Sequence, residues 1–127
     1  MRLPQVMGLV FCERFGIDPL RHRVSLEGLF QALRFDRFPT RPQEFTVYAA
    51  LYGIAVEGTI ELEVVRLETE MEIYRYRKWV AFVGGTVHQM EFRVKTLRFP
   101  APGRYGCRLL FEGNLLTERY LDVFRED

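Results

Sequence analysis

Few side chains in this 127-residue sequence have the chemistry to make or break bonds. The candidates are two histidines, His22 and His88, one serine, Ser25, and two cysteines, Cys12 and Cys107. Neither histidine stands with a cysteine, serine or second histidine at a ligand or triad spacing, so a turn histidine and a strand histidine are the plain readings. A zinc site needs more ligands than this. Ser25 lies inside an alternating strand pattern with no nucleophile elbow around it. Apart from Arg14, Arg104 and Arg108, nothing close in sequence to Cys12 or Cys107 would lower a thiol pKa. The expectation is therefore no catalytic residue, no metal and no cofactor, and a protein that is not an enzyme.

Two stretches have the chemistry to bind. Glu61, Glu63, Glu68, Glu70 and Glu72 form an acidic hairpin. Carboxylates two apart on one strand face can grip a hard cation such as calcium, but the Asp and Gly loop chemistry of calcium sites is missing. The plainer reading is a solvated face that discourages edge-to-edge aggregation. Immediately afterwards come Tyr74, Arg75, Tyr76, Arg77 and Lys78, followed by Trp79. In an extended strand Tyr74 and Tyr76 share one face and Arg75 and Arg77 the other. Aromatics interleaved with arginines can stack a sugar or a base or clamp a phosphate, which makes Tyr74, Arg75, Tyr76, Arg77 and Trp79 the candidate ligand site. An ordinary strand whose arginines pair with the neighbouring glutamates accounts for the same pattern.

Composition bounds the classes of partner. With 48% hydrophobic and 28% charged residues the chain is globular, and its eleven Phe, six Tyr and many Val favour strands over helices. Its length suits a single domain spanning residues 1–127. The formal net charge of +1 provides no global field for nucleic acid or an anionic membrane, so neither is expected as a partner. The apolar run Val6 to Phe11 is too short for a signal-peptide core, and Phe11 stands where cleavage requires a small residue. No run approaches the roughly 18 residues of a membrane helix, so a cytoplasmic location is expected. Cytosolic disulfides are rare, and both cysteines suit buried strand positions, so two reduced thiols are expected.

The elements that would hold these residues read as short strands. Gln5 to Phe15 is apolar on both faces, Gly16 to Arg23 is a turn by composition, and alternation from Val24 to Phe35 makes a second strand, with Gly28 marking a bulge or close backbone approach. Asp36 to Glu44, with Pro39 and Pro42, crosses over without regular pairing. Phe45 to Tyr52 and Thr59 to Val64 alternate as strands, Glu68 to Glu70 is a hairpin tip, and Met71 to Tyr74 returns. Trp79 to Val83 reads as a short edge strand broken by Gly84 and Gly85, and Gln89 to Phe99 as an amphipathic strand. Register is least determined between residues 66 and 90. Pro100 to Gly103 turns a corner into the alternating strand Tyr105 to Phe111, and Glu112-Gly113-Asn114 reverses the chain into a last strand. Pro102, Gly103 and Tyr105 form a structural corner, with the Tyr105 hydroxyl expected to bond nearby backbone. About seven to nine such strands with regular turn signals predict an all-β, antiparallel sandwich. Tyr48, Tyr52, Leu110, Leu116 and Tyr120 would stand opposite the buried set, either under the second sheet or at an interface with another copy.

Phe11-Cys12-Glu13-Arg14, then Ser25-Leu26-Glu27-Gly28-Leu29-Phe30, and later Pro102-Gly103-Arg104-Tyr105 together resemble a family of short bacterial proteins. Its members open with a Cys-Asp/Glu-Arg strand and a Ser-Leu-x-Gly-Val/Leu-Phe strand and close on a Pro-Gly-x-Tyr hairpin. That family is a domain of unknown function with an immunoglobulin-like sandwich fold. The resemblance implies the architecture and carries no catalytic residues. The functional expectation is a non-catalytic binding or scaffold module acting through protein–protein contact, with an unknown protein partner or a homodimer through a sheet edge or face. The alternatives are a small-ligand domain for sugar or nucleotide at the Tyr74/Tyr76/Trp79 strand and, behind it, a metal-dependent enzyme.

Overall fold

A computed structural model describes residues 2–126. The described chain contains strands and no helix: β1 (Gln5–Cys12), β2 (Arg14–Asp18), β3 (Arg23–Glu27), β4 (Ala32–Phe35), β5 (Gln43–Tyr52), β6 (Val56–Arg66), β7 (Met71–Phe82), β8 (Val87–Leu97), β9 (Gly103–Phe111) and β10 (Asn114–Arg125). They form three sheets. One has the order β1-β5-β8, a second the order β4-β10-β9-β6-β7, and the third is the β2-β3 hairpin.

The two larger sheets share one core. Alternate residues of the central strand segments build it: Leu9 and Phe11 from β1, Phe45, Val47, Ala49 and Leu51 from β5, Ile60, Leu62 and Val64 from β6, and Tyr105, Cys107, Leu109 and Phe111 from β9. This is the period-two alternation of the sequence made physical, each large side chain contributing about 1.5–3 kcal/mol by leaving water. The corner before β9 is held from inside. Tyr105 is fully buried, its ring packs on Phe99 at 5.0 Å between centroids, and its hydroxyl donates to the Ala101 carbonyl at 2.5 Å.

Four features depart from the sequence expectation. The run Gln5 to Phe15 is broken at Glu13, whose N–H bonds the carbonyls of Glu27 and Gly28, and the expected turn from Gly16 to Arg23 is a hairpin. The hairpin reverses only at its tip, where the Asp18 Oδ1 accepts the N–H groups of Leu20 and Arg21. The alternating run Val24 to Phe35 is also split, because Gly28 takes a left-handed φ of 68° and a Cβ there would lie 2.8 Å from the Glu13 side chain. Beyond that break β4 joins the other sheet and pairs parallel with Asp122–Arg125 of β10, so the fold is not antiparallel throughout.

Third, Trp79 does stand on an edge strand, but not on a short, separate one. It lies within the twelve-residue β7, which β6 pairs along its length. Fourth, Leu116 faces the core instead of standing beside Leu110 and Tyr120. A register shift between Leu115 and Thr117 changes the alternation, so Leu115 takes the outward place and pairs Leu110.

Candidate interaction face

The outward face of the five-stranded sheet collects the arginines, Trp79 and the paired glutamates singled out in the sequence. Cross-strand register sets them in rows. Arg75 of β7, Glu63 of β6, Arg108 of β9 and Glu118 of β10 stand opposite one another in sequence across four strands. Arg77, Glu61, Leu110 and Leu115 form the next row. With neighbouring strands about 4.8 Å apart, each charge in the first row lies beside one of opposite sign.

The contacts follow the register. The Arg75 guanidinium bonds Glu61, reaches Glu63 at 2.6 Å and takes Glu72 at 2.6 Å. Arg108 bonds Glu118 and stands 3.7 Å from Glu63 and 3.6 Å from Glu70. Glu63 is thus shared between two arginines, and this lets a carboxylate with only 8% exposure sit on a sheet face. Hydrogen bonding to Glu72 and then Glu61 pushes the Arg75 pKa up, and Glu118 does the same for Arg108, so both guanidinium groups are held charged. A third arginine, Arg104, bonds Asp122 at 2.8 Å and lies over the Tyr120 ring at 4.9 Å. It holds the Asp122 carboxyl below the usual carboxylate range.

The charges on this face are therefore largely spent on one another. Beside these paired charges the face presents apolar and aromatic side chains to solvent: Trp79 at 63% exposure, Leu115 at 56%, Tyr120 at 51% and Phe124, whose ring carries Arg34 at 5.1 Å.

The candidate ligand residues are divided between faces. Arg75, Arg77 and Trp79 pair with Glu63, Glu61 and Thr59 on the outward side, whereas Tyr74 and Tyr76 pair with Val64 and Leu62 on the inward side. Tyr74 packs against the core, where burial raises its pKa, and Tyr76 meets Phe92 edge to face at 6.1 Å. Lys78 follows the tyrosines inward, 4.8 Å above the Phe92 ring, and burial lowers its pKa. Stacking one ligand between Trp79 and the tyrosines is thus not what this strand is shaped for. Of the acidic hairpin, Glu61, Glu63, Glu70 and Glu72 all neutralise arginines of this face, and Glu68 pairs with Arg66 at 3.3 Å. Among the described residues, no group of three or more His, Cys, Asp or Glu side chains is placed to hold a metal ion.

The remaining chemistry-bearing residues lie apart. His88 accepts the Val83 N–H at its Nε2 at 3.0 Å and packs on Phe82, fastening the turn before β8. His22 occupies the hairpin tip with a positive φ. Cys12 and Cys107 are free buried thiols on different sheets. Burial, helped by Glu118, pushes the Cys107 thiol up to about 12, and burial with Glu91 raises Cys12. The outward tyrosines differ too. Tyr52 is exposed, but Tyr48 is half-buried, stacked against Phe15 of the small hairpin and donating to Gln89 at 2.6 Å.

No protein-family model matches the chain, and a comparison with curated proteins returns no match. No helix among the described residues is long and apolar enough to cross a membrane.

Proposed function

We propose that the chain is a non-catalytic immunoglobulin-like β-sandwich that binds a protein partner through the outward face of its five-stranded sheet. Support for the immunoglobulin-like reading comes from two features. Consecutive strands such as β5 and β6 belong to different sheets, and the second-to-last strand carries near its start a tyrosine, Tyr105, whose hydroxyl bonds backbone a few residues upstream, two positions before a cysteine. The observation that carries the binding reading is the exposed set Trp79, Leu115 and Tyr120 on a face whose charges are internally paired. Such a surface can be covered without stranding an unpaired charge, and tryptophan and tyrosine are the residues that most often dominate an interface.

The test is a double variant, W79A with L115S, which removes two outward side chains and no core contact. Wild type should capture a partner from native cell extract, or sediment as a dimer if the partner is a second copy, and the variant should lose that association while melting at the same temperature. Identical capture and sedimentation by both proteins would refute the assignment.

A further inference from the structure

Between the edge strand β1 and strand β10 runs a groove of about 760 Å3, on the opposite side of β10 from its partner β9. Strand β4 covers β10 only over Asp122–Arg125. Upstream of that, no strand is paired with Glu118–Tyr120 on that side among the described residues, and none is paired with the outer side of Gly8–Val10, although β1 and β10 themselves come close. Backbone direction follows from the bonds that do form. The Asp122 N–H bonds Gln31 and the Phe11 carbonyl accepts from Phe30, so by the two-residue alternation Tyr120 and Glu118 on one wall and Leu9 on the other turn their N–H and C=O groups into the groove.

The lining suits side chains as well as backbone. Leu9, Phe11, Leu29 and Phe30 make it apolar, and a Cβ placed on Gly8 would meet nothing within 4 Å. Arg119 lies in the lining and pairs in register with the core residue Cys107, so its side chain stands on the inward side of β10, at the open flank between the sheets. Unlike Arg104 and Arg108 on the neighbouring strand, Arg119 forms no ion pair with a carboxylate among the described residues. Its Nη1 makes only 3.4 Å contacts with the Thr117 hydroxyl and the Glu118 carbonyl.

We infer that this groove takes an extended peptide segment of a partner protein, which adds to the free edge of β10 in the line that β4 leaves vacant and places an acidic side chain on Arg119. The occupant follows from three matches: strand edges ask for an extended backbone, the apolar lining for alternate apolar side chains, and the unpaired guanidinium for a carboxylate. The Gly8–Phe11 wall spans about 13 Å at roughly 3.3 Å per residue, which is four residues of such a segment. This rests on the reading of the chain as a protein-binding module but uses a surface on the flank of the sandwich, away from Trp79.

The test starts from random hexapeptides displayed on phage and panned against the full chain. Enriched sequences should alternate apolar residues and carry Asp or Glu at one end. A resynthesised winner should bind R119E at least tenfold more weakly than wild type, and should lose binding when alternate backbone amides are N-methylated. Binding that survives N-methylation or R119E overturns the inference, and so does a selection with no enrichment. W79A with L115S should leave peptide affinity unchanged. If that variant loses its cellular partner while hexapeptides never bind wild type, the groove assignment fails and the interaction face stands.

Discussion

The burial of Cys107 has a consequence at alkaline pH that can be worked from the structure. The thiol is 1% exposed in the core between the sheets, and burial together with Glu118 pushes its pKa up to about 12 from 9.0. Above pH 9 the unfolded chain releases a proton that the folded chain retains. The unfolded state then binds fewer protons, so stability falls with rising pH, at about 1.4 kcal/mol per pH unit between about 9 and 12. The contribution is close to nil at pH 8 and amounts to about 2 kcal/mol of lost stability at pH 10.5. Cys12, Tyr48, Tyr74 and Tyr105 also have raised pKa values and add to the alkaline loss, so the comparison is with Cys107→Ala, which leaves those groups in place. At pH 8 that variant should be less stable by about 1 kcal/mol, the value of the lost sulfur packing. At pH 10.5 the order should invert, with wild type the weaker by about 1 kcal/mol. Urea unfolding followed by circular dichroism measures both points. Parallel loss of stability in the two proteins across this range would refute the assignment of the buried thiol as the responsible group.

Three further outcomes are expected. Tyr105→Phe removes the hydroxyl that bonds Ala101 and leaves the ring in place, and should lower unfolding free energy by about 1–2 kcal/mol in urea titrations. Glu63→Gln withdraws the charge shared by Arg75 and Arg108. Arg75 keeps Glu61 and Glu72 and Arg108 keeps Glu118 and Glu70, so the cost should stay near 1 kcal/mol, measured the same way. Gly28→Ala forces a Cβ to within 2.8 Å of Glu13 at a left-handed φ and should destabilise by about 1 kcal/mol or more in thermal melts, whereas Gly8→Ala, in open space, should not approach that loss.

Much of the sheet was legible because burial on one face writes itself as alternation. Phe45 to Leu51, Ile60 to Val64 and Tyr105 to Phe111 are apolar at every second position, and each is a strand with those residues in the core. The misplaced elements are those where alternation continued while the backbone did not. Val24 to Phe35 keeps a period of two through Gly28, yet the left-handed turn there sends the two halves to different sheets. Leu116 reads as outward by counting from Leu110 and Tyr120, and one register shift turned it inward. The candidate site was half legible. Tyr74 and Tyr76 were separable from Arg75 and Arg77 by parity, and the same parity puts Trp79 with the arginines. The pairing of Arg75 and Arg77 with the neighbouring glutamates was legible in the sequence, but the second arginine on Glu63, Arg108, had no sequence signal, since β9 follows β6 only after two intervening strands.

From the sequence alone came the class of structure: a strand-rich chain with one core and a proline- and glycine-marked corner ahead of Tyr105. These are local properties, determined by side-chain period, by the φ preferences of Pro and Gly, and by which residue types are present. The tertiary structure alone decided which strands are neighbours, and with that the alternating charge row on the outward face, the parallel β4-β10 pair and the open groove beside Arg119. Cross-strand neighbours are chosen by how the whole set of strands closes over a common core, a condition that no single stretch of sequence carries.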